Sequence, residues 1–281
     1  MFIILFLLVK VCCMVTSKVV SIEVDPATIA NASQFDIDEV PYIVSIQNTI
    51  GDKDKTKVCT GFFTGSNWIL TSAHCFDGGK VTKTLIKFGI NDYSLDTKKN
   101  NLESKGIFKH PEYNSKSLMN DLALIKVQLT DAQAGKAKYL LTDEYGFKWK
   151  KNVPGRNCMA VGFGHTKYND PKLFMKELIV RYDPRACGCF ATNRELLCGT
   201  NNASDSEQCF EDYGGPLICN GLVVGVANKI LQCDENERDK CGKETYLRYT
   251  NLCAYFQWIS GYVDSFPEEC FGYRQGKKIN K

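Results

Sequence analysis

Short runs of apolar residues, many of them alternating with polar ones, recur along the chain between Gly, Asn and Asp residues. Runs of this kind, bounded by turn-forming residues, predict β-strands. They are YIVSIQ (42–47), TGFFTG (60–65), WILTSA (68–73), TLIKFGI (84–90), LALIKVQL (122–129), CMAVGFG (158–164), KELIVRY (176–182), PLICNGLVVGVAN (216–228) and TYLRYT (245–250). Because no long segment of helical period interrupts them, the pattern predicts an all-β protein built as barrels or sandwiches.

The exception is CAYFQWISGYVDSF (253–266) near the C-terminus. Tyr255, Ile259, Tyr262, Val263 and Phe266 fall at helical spacing and give this segment one apolar face, which predicts a C-terminal helix packed on the β-structure. The residues from 266 to 281 are polar and basic apart from one cysteine and are interpreted as a tail.

The first residues, MFIILFLLVKVCCMVTSK, combine an apolar run, Lys10 and the small residues Thr16 and Ser17. This is the anatomy of a signal peptide over residues 1–17, and the apolar run is too short for a transmembrane helix. We therefore expect a secreted, extracellular protein without a membrane anchor, with a short N-terminal segment over 18–28.

Cysteine usage agrees with that location. The chain has 14 cysteines, and cleavage near Ser17 would remove Cys12 and Cys13, leaving the even number of twelve. Disulfides are the expected state of such a set in an oxidising compartment. Zinc is the alternative, but Cys187-Gly188-Cys189 lacks a second close ligand pair and the chain has only 3 histidines. We therefore expect no metal and no cofactor.

Composition adds further limits on the partners. The chain has 281 residues, of which 44% are hydrophobic, enough for a large core. Its formal net charge is +3 and its lysines are scattered, which argues against nucleic acid as a partner. The sequons at Asn31 and Asn202 are expected glycosylation sites on surface loops.

Three segments together carry candidate chemistry. WILTSAHCF places His74 after a predicted strand, NDLALIKV places Asp121 before one, and CFEDYGGPLIC places Tyr213 in a Gly-rich loop. In this order they resemble the chymotrypsin/trypsin-like serine proteases, whose catalytic His, Asp and Ser follow one another in the same way. The resemblance covers about residues 29–265 and extends to VPYIVSIQ (40–47), HPEYN (110–114), GFG (162–164), LLCG (196–199) and YLRYTNLCAYFQWI (246–259).

The resemblance implies two packed antiparallel six-stranded β-barrels and a C-terminal α-helix, with the site in the cleft between the barrels. His74 and Asp121 occupy the positions of the general base and of the acid that orients it. Tyr213 stands where the nucleophilic serine belongs. A phenol reaches several ångströms further from its Cα than a serine hydroxyl does, and it fills the space of the scissile carbonyl. We therefore expect no proteolysis.

Neighbouring positions depart from the family as well. Glu211 replaces the glycine whose N–H helps to hold the oxyanion, and a carboxylate there opposes the developing negative charge. GVANKILQC (225–233) places Asn228, Lys229 and Ile230 where the family has roughly Ser-Trp-Gly. Ile230 thus stands where an absent side chain normally opens the specificity pocket.

Substitutions at other positions of the specificity pocket also favour its closure. Glu244 replaces the second pocket glycine, and Glu207 occupies the pocket floor, where in an open pocket it would favour basic residues. With both glycine walls replaced, we expect the pocket to be closed.

Activation by proteolysis is also absent from the pattern. Residues 29–32 occupy the place of the family's Ile-Val-Gly-Gly, but Thr28 precedes them, so a trypsin-like activator has no basic residue to cut after. The family pairs the freed amine with the aspartate beside the nucleophile, here Asp212. The sequence names no other partner for Asp212.

The resemblance also guides the disulfide pairing. It implies Cys59–Cys75, Cys158–Cys219, Cys209–Cys233, and Cys198 with Cys187 or Cys189. For the remaining cysteines we favour Cys241 with the other member of the 187/189 pair, and Cys253 with Cys270.

These observations favour a secreted serine protease homologue without proteolytic activity that binds an extracellular protein partner. It is similar to the invertebrate homologues that regulate protease cascades or act in immune, reproductive or salivary fluids. The alternative is a weakly active serine-type endopeptidase or unusual hydrolase that uses His74 and Asp121 with water or the tyrosine. A third hypothesis, capture of a protease inhibitor, is weakened by the blocked pocket.

Overall fold

The computed structural model describes residues 33–51, 55–95, 98–142, 155–163, 171–182, 185–191, 193, 195–201, 212–233 and 245–270. The predicted signal peptide (1–17), the segment 18–28 and the tail beyond Cys270 lie outside these residues. The first seven-stranded sheet contains β2 (Ile43–Ile50), β3 (Lys55–Gly65), β4 (Trp68–Thr71), β5 (Val81–Phe88), β6 (Asn101–Glu103), β7 (Gly106–Lys109) and β8 (Ala123–Lys126). The second contains β1 (Ser33–Gln34), β9 (Arg156–Gly162), β10 (Phe174–Arg181), β11 (Leu196–Asn201), β12 (Pro216–Cys219), β13 (Leu222–Gln232) and β14 (Thr245–Asn251).

Both sheets are antiparallel, and both close on themselves. The second has the order β1-β10-β11-β14-β13-β12-β9, and β9 also pairs with β10, so six strands form a barrel that β1 extends. The first has the order β6-β5-β2-β3-β4-β8-β7. Its two outer strands, β6 and β7, follow one another in the chain and are joined by Ser104 and Lys105. Since β6 pairs with β5 and β7 pairs with β8, this continuous segment closes the first barrel. The predicted pair of barrels is present, with one more short strand in each sheet than predicted.

Neighbouring residues on β3 show why the strands read as continuous apolar runs. Phe62 and Phe63 are both 0% exposed, although successive side chains of a strand point to opposite faces. Phe63 packs inside the first barrel with Val44. Phe62 instead packs with Val161 and Val226 of the second barrel, in a core that lies between the two. Because both faces of β3 are buried at these residues, little polar alternation remains in this part of the sequence.

The segment PLICNGLVVGVAN, predicted as one run, is a hairpin. Asn220 and Gly221 have φ values of 53° and 77° and separate β12 from β13. Positive φ at both central residues is the geometry of the tight turn that Asn-Gly favours between antiparallel strands.

The predicted C-terminal helix over 253–266 is wrong in extent. A short 3-10 helix (Leu252–Ala254) precedes α2 (Phe256–Ser260), and the chain then continues in turns. Helix α2 ends after little more than one turn, at Ser260 and its C-cap Gly261, because glycine has a low helix propensity. Val263 and Phe266 nevertheless pack into the core between the barrels, since the turns keep them on the buried side. The other helix, α1 (Asp131–Ala134), begins with a Thr130 capping box. No helix in the described part of the chain is both long and apolar enough to cross a membrane.

Five disulfides lie within the described residues. Cys59–Cys75 and Cys158–Cys219 agree with the pairs implied by the resemblance, and Cys187–Cys198 is one of the two alternatives that it left for Cys198. The favoured pairing of Cys253 with Cys270 is confirmed as well.

The predicted Cys209–Cys233 pair is wrong. Cys233 pairs with Cys189, and their Cα atoms are 5.7 Å apart. Cys187 and Cys189 lie on the same turn. Cys187 points inward and is 0% exposed, whereas Cys189 faces the end of β13. Because Cys187 and Cys189 are both used, the favoured pairing of Cys241 with one of them is also wrong. Cys209 and Cys241 themselves lie outside the described residues.

Candidate functional site

The two acid–base positions meet at the end of the first barrel. His74 lies in a 3-10 helix (Ala73–Phe76) that follows β4, and the Cys59–Cys75 disulfide fixes this helix to β3. Asp121 directly precedes the Leu122 that leads into β8, the strand paired with β4. The order of the strands therefore brings together two residues that are 47 positions apart in the sequence.

The Asp121 carboxylate is fully buried and accepts several hydrogen bonds. Its Oδ1 accepts the backbone N–H of His74 at 2.8 Å, and its Oδ2 lies 2.7 Å from His74 Nδ1. Since a carboxylate only accepts, Nδ1 carries the proton and, in the neutral ring, Nε2 has the free lone pair. This is the orientation that a general base requires.

Asn228 is the second residue bound to Asp121, after His74. Its Nδ2 donates to Asp121 Oδ2 at 3.0 Å and to the Leu118 carbonyl oxygen at 3.0 Å. Leu118 has a φ of 53°, a conformation that is strained for leucine. The sequence placed Asn228 at a family serine position but did not indicate this contact, which depends on a bulge between Ala227 and Lys229 in the pairing of β13 with β14.

Arg248 extends this network from β14. Its Nε donates to Asn228 Oδ1 at 2.6 Å, and its Nη2 donates to the Ser117 carbonyl oxygen at 3.2 Å. Burial lowers the pKa of Arg248, and the negative charge of Asp121 acts in the opposite direction. Sequence reasoning missed Arg248 entirely, because nothing local marks an arginine in a strand as part of a site.

Replacing Asn228 by alanine is expected to lower the free energy of unfolding by about 2–4 kcal/mol. The substitution removes the Asn228 partner of Arg248 Nε and of the Leu118 carbonyl oxygen and leaves Asp121 Oδ2 with His74 Nδ1 alone, and unpaired buried polar groups are costly. Urea denaturation followed by tryptophan fluorescence measures the loss. Lys229→Ala on the exposed face of the same strand is the control, expected within about 0.5 kcal/mol of the unmodified protein. Equal effects of the two substitutions would contradict this role of Asn228.

Tyr213 packs against the histidine. The two ring centroids are 4.8 Å apart and the ring planes lie at 84°, an edge-to-face contact. The half-buried tyrosine also contacts the core of the first barrel. His74 Nε2 is buried and has no hydrogen-bond partner among the residues that the structure describes. The three family positions therefore lie together, but the hydrogen bond between nucleophile and base is missing.

The turn that carries Tyr213 keeps its glycines for steric reasons. Gly214 has a φ of +85°, and a Cβ placed there would lie 2.1 Å from Thr71 Oγ1 and 2.3 Å from the Thr60 carbonyl oxygen. A Cβ on Gly215 would lie 1.9 Å from Asp212 Oδ2. No side chain fits at either position, so these glycines are required by the fold whether or not a reaction takes place.

Asp212 lies beneath that turn, with its carboxyl group against Gly162 and Gly215. It is 4% exposed, and neither carboxyl oxygen accepts a hydrogen bond from any described residue. Burial raises the pKa of Asp212 to about 8, although the nearby Thr60 hydroxyl acts in the opposite direction. At neutral pH a carboxyl group with this pKa is largely protonated, so the proton takes the place of the cationic partner that the sequence did not identify.

The pocket positions are only partly described. Ile230 pairs with Leu247 in the β13–β14 ladder, and its half-buried side chain packs against the core of the second barrel. Lys229 beside it is exposed. Three kinds of predicted position lie outside the described residues: the oxyanion position Glu211, the pocket positions Glu207 and Glu244, and the glycosylation sites Asn31 and Asn202. No group of His, Cys, Asp and Glu side chains in the described part of the chain could hold a metal ion.

Two closed antiparallel barrels with a His–Asp pair between them define a trypsin-like β-barrel protein. The sequence pattern of the Trypsin family matches residues 29–259, and the chain belongs to this family. It is 31% identical over 194 residues to a chymase of Papio hamadryas, and this alignment covers 67% of this chain and 75% of the relative. It is 25% identical over 242 residues to a trypsin of Xenopus laevis, covering 80% and 86% of the two chains.

Solved structures share the fold. HL collagenase superposes with a TM-score of 0.66 at 20% identity and covers 83% of this chain and 97% of its own. Neuropsin, a serine protease of mouse brain, superposes with a TM-score of 0.64 at 21% identity and covers 83% and 99%. Identities this low speak for the shared architecture alone.

Proposed function

We propose that this chain is a secreted member of the trypsin family that has no proteolytic activity and acts by binding a partner protein. The contact between Tyr213 and His74 carries the proposal. Acyl transfer needs a nucleophile within hydrogen-bonding reach of the base, and here an aromatic ring packs edge-on against the imidazole instead. Loss of the serine in a related mechanism lowers kcat by about 10⁶-fold.

Three further features support loss of activity. Glu211 stands at the oxyanion position, where a carboxylate opposes the charge that develops. Ile230 fills a position that must be empty for the specificity pocket to open. Thr28 offers a trypsin-like activator no basic residue to cut after, so the amine that the family pairs with the aspartate beside the nucleophile, here Asp212, is not freed in that way.

Secretion is supported by the apolar N-terminal run and by the five described disulfides, since such bonds persist in oxidising compartments. The same disulfides, with the glycines of the Tyr213 turn, keep the scaffold intact while the chemistry is lost. A protein that retains its fold in this way can bind a partner protein through its surface and so act as a regulator or cofactor of an extracellular process.

The second candidate function is that of a weak hydrolase, and one observation favours it: His74 and Asp121 remain 2.7 Å apart in the orientation of a working base. Such an enzyme would use water at Nε2, which the Tyr213 ring partly covers.

Purified protein is expected to show no peptidase or esterase turnover above background and no labelling by a fluorophosphonate probe. Peptide-library and ester substrates provide the assay, with an active trypsin as the positive control and His74→Ala as the matched variant. Turnover that disappears in His74→Ala would refute the proposal and establish the hydrolase. Crosslinking to the extracellular fluid of the source then distinguishes a cascade protein from a captured protease inhibitor.

A further inference from the structure

The Cys189–Cys233 disulfide differs from the other four described disulfides in its exposure. Cys189 is exposed and Cys233 is half-buried. In each of the other pairs at least one cysteine is buried, and in Cys187–Cys198 both residues are 0% exposed. Because a thiolate must approach a disulfide sulfur to exchange with it, access alone makes this bond the most open to attack of the five.

A hydrogen bond to Cys233 indicates which sulfur of the exposed disulfide would be attacked and which would leave. The backbone N–H of Cys189 lies 3.1 Å from Cys233 Sγ and donates to it. If an external thiolate attacks Cys189 Sγ, Cys233 leaves as a thiolate, and the same N–H stabilises the negative charge that appears on its sulfur. The thiolate thus attacks the sulfur of the more exposed residue, Cys189. The sulfur of Cys233, which accepts the hydrogen bond, is the leaving group.

The turn that carries Cys189 has other anchors. Cys187, two residues earlier, is bonded to Cys198 of β11 in the interior. Gly188 has a φ of +61° and lies so close to the Tyr246 ring that an added Cβ would be 2.5 Å from it. At the other end, β13 remains paired with β14 as far as Gln232 opposite Thr245. The fold therefore does not depend on this disulfide for the position of either segment.

We propose that Cys189–Cys233 is a thiol–disulfide exchange site that an external dithiol opens without unfolding the protein. The first thiolate of the dithiol forms a mixed disulfide with Cys189 and breaks the Cys189–Cys233 bond, and the Cys233 thiolate takes up a proton from water. The second thiol of the reagent then attacks the mixed disulfide and releases Cys189 as a thiol. The dithiol is oxidised to its disulfide, and the protein bond is reduced by two electrons.

Opening this disulfide would free the end of β13 from the turn at residues 185–189. The same strand carries Asn228, which binds Asp121, and Ile230 at the pocket position. The exchange site is thus connected through one strand to the cleft between the barrels. It is independent of whether the cleft is catalytic.

The test uses the full-length protein, dithiothreitol as the dithiol and iodoacetamide as the trapping reagent, without denaturant. Peptide mass spectrometry follows alkylation of each cysteine with time. We expect Cys189 and Cys233 to be modified at least about tenfold faster than Cys187 and Cys198, since exposure and thiolate stabilisation control exchange. Near-UV circular dichroism recorded in parallel should stay unchanged during the fast phase.

Cys187–Cys198 serves as the internal control, because it anchors the same turn within the same molecule. The Cys189→Ser/Cys233→Ser double variant is expected to lose the fast phase and to keep its near-UV spectrum. Equal rates for the two disulfides would overturn the proposal. Modification of Cys189 and Cys233 only as the near-UV signal collapses would overturn it as well, since the bond would then open through unfolding.

Discussion

A Tyr213→Ser variant is expected to remain at least about 10³-fold less active on peptide substrates than an active member of the family. The serine hydroxyl would again be near His74, whose Nδ1–H already donates a hydrogen bond to Asp121 Oδ2. The oxyanion position would still hold Glu211, and loss of a single oxyanion donor costs about 10²–10³ in kcat. The substitutions proposed to close the pocket, Ile230 and Glu244, would also remain, and a substrate that does not enter the pocket does not reach the attacking position.

Activity is measured as kcat/KM on a peptide library and by fluorophosphonate labelling of the variant. The matched control is Tyr213→Ser/His74→Ala, which removes the base and gives the background. A second variant adds Glu211→Gly, Ile230→Gly and Glu244→Gly to the serine and is expected to be more active than Tyr213→Ser alone. Substantial His74-dependent proteolysis by the single serine variant would mean that the oxyanion and pocket substitutions are unimportant.

The second large effect concerns stability and Asp212. The free energy of unfolding is expected to fall by about 1.4 kcal/mol per pH unit between about pH 5 and pH 7. Burial raises the pKa of Asp212 from 3.8 to about 8 in the folded protein. The folded state therefore binds a proton that the unfolded state has lost. This stabilisation is complete below pH 4 and disappears as the pH rises through 8, amounting to about 6 kcal/mol in total.

Urea denaturation at pH 5 and at pH 7.5 measures this slope. Asp212→Asn, which is neutral at every pH, is expected to remove most of it and to be the more stable protein at pH 7.5. Asp264→Asn, at an exposed carboxyl, controls for the loss of one acidic group and should keep the slope. Stability that rises with pH in the unmodified protein would show instead that a cation pairs with Asp212 and holds its carboxylate charged.

Much of the architecture followed from residue patterns. The apolar runs predicted strands within β2 to β5, β8 to β10 and β12 to β14, since an apolar run bounded by turn residues is typical of a buried strand. The helix at the C-terminus was overextended because Val263 and Phe266 keep helical spacing in a segment that actually turns. The Asn220-Gly221 hairpin was missed although the dipeptide is its usual signal, because the flanking residues are apolar throughout.

The sequence by itself determined the family, the all-β class and the assignment of His74, Asp121 and Tyr213 to the family's three catalytic positions, because motifs and strand patterns are local and can be read along the chain. Only the tertiary structure decided which distant groups touch. Asn228 reaches Asp121 across 107 positions, Arg248 supports Asn228, and Cys189 rather than Cys209 meets Cys233. Such contacts depend on a strand bulge, the side of a turn and the packing of a ring, all of which are set by three-dimensional closure and leave no periodic trace along the chain.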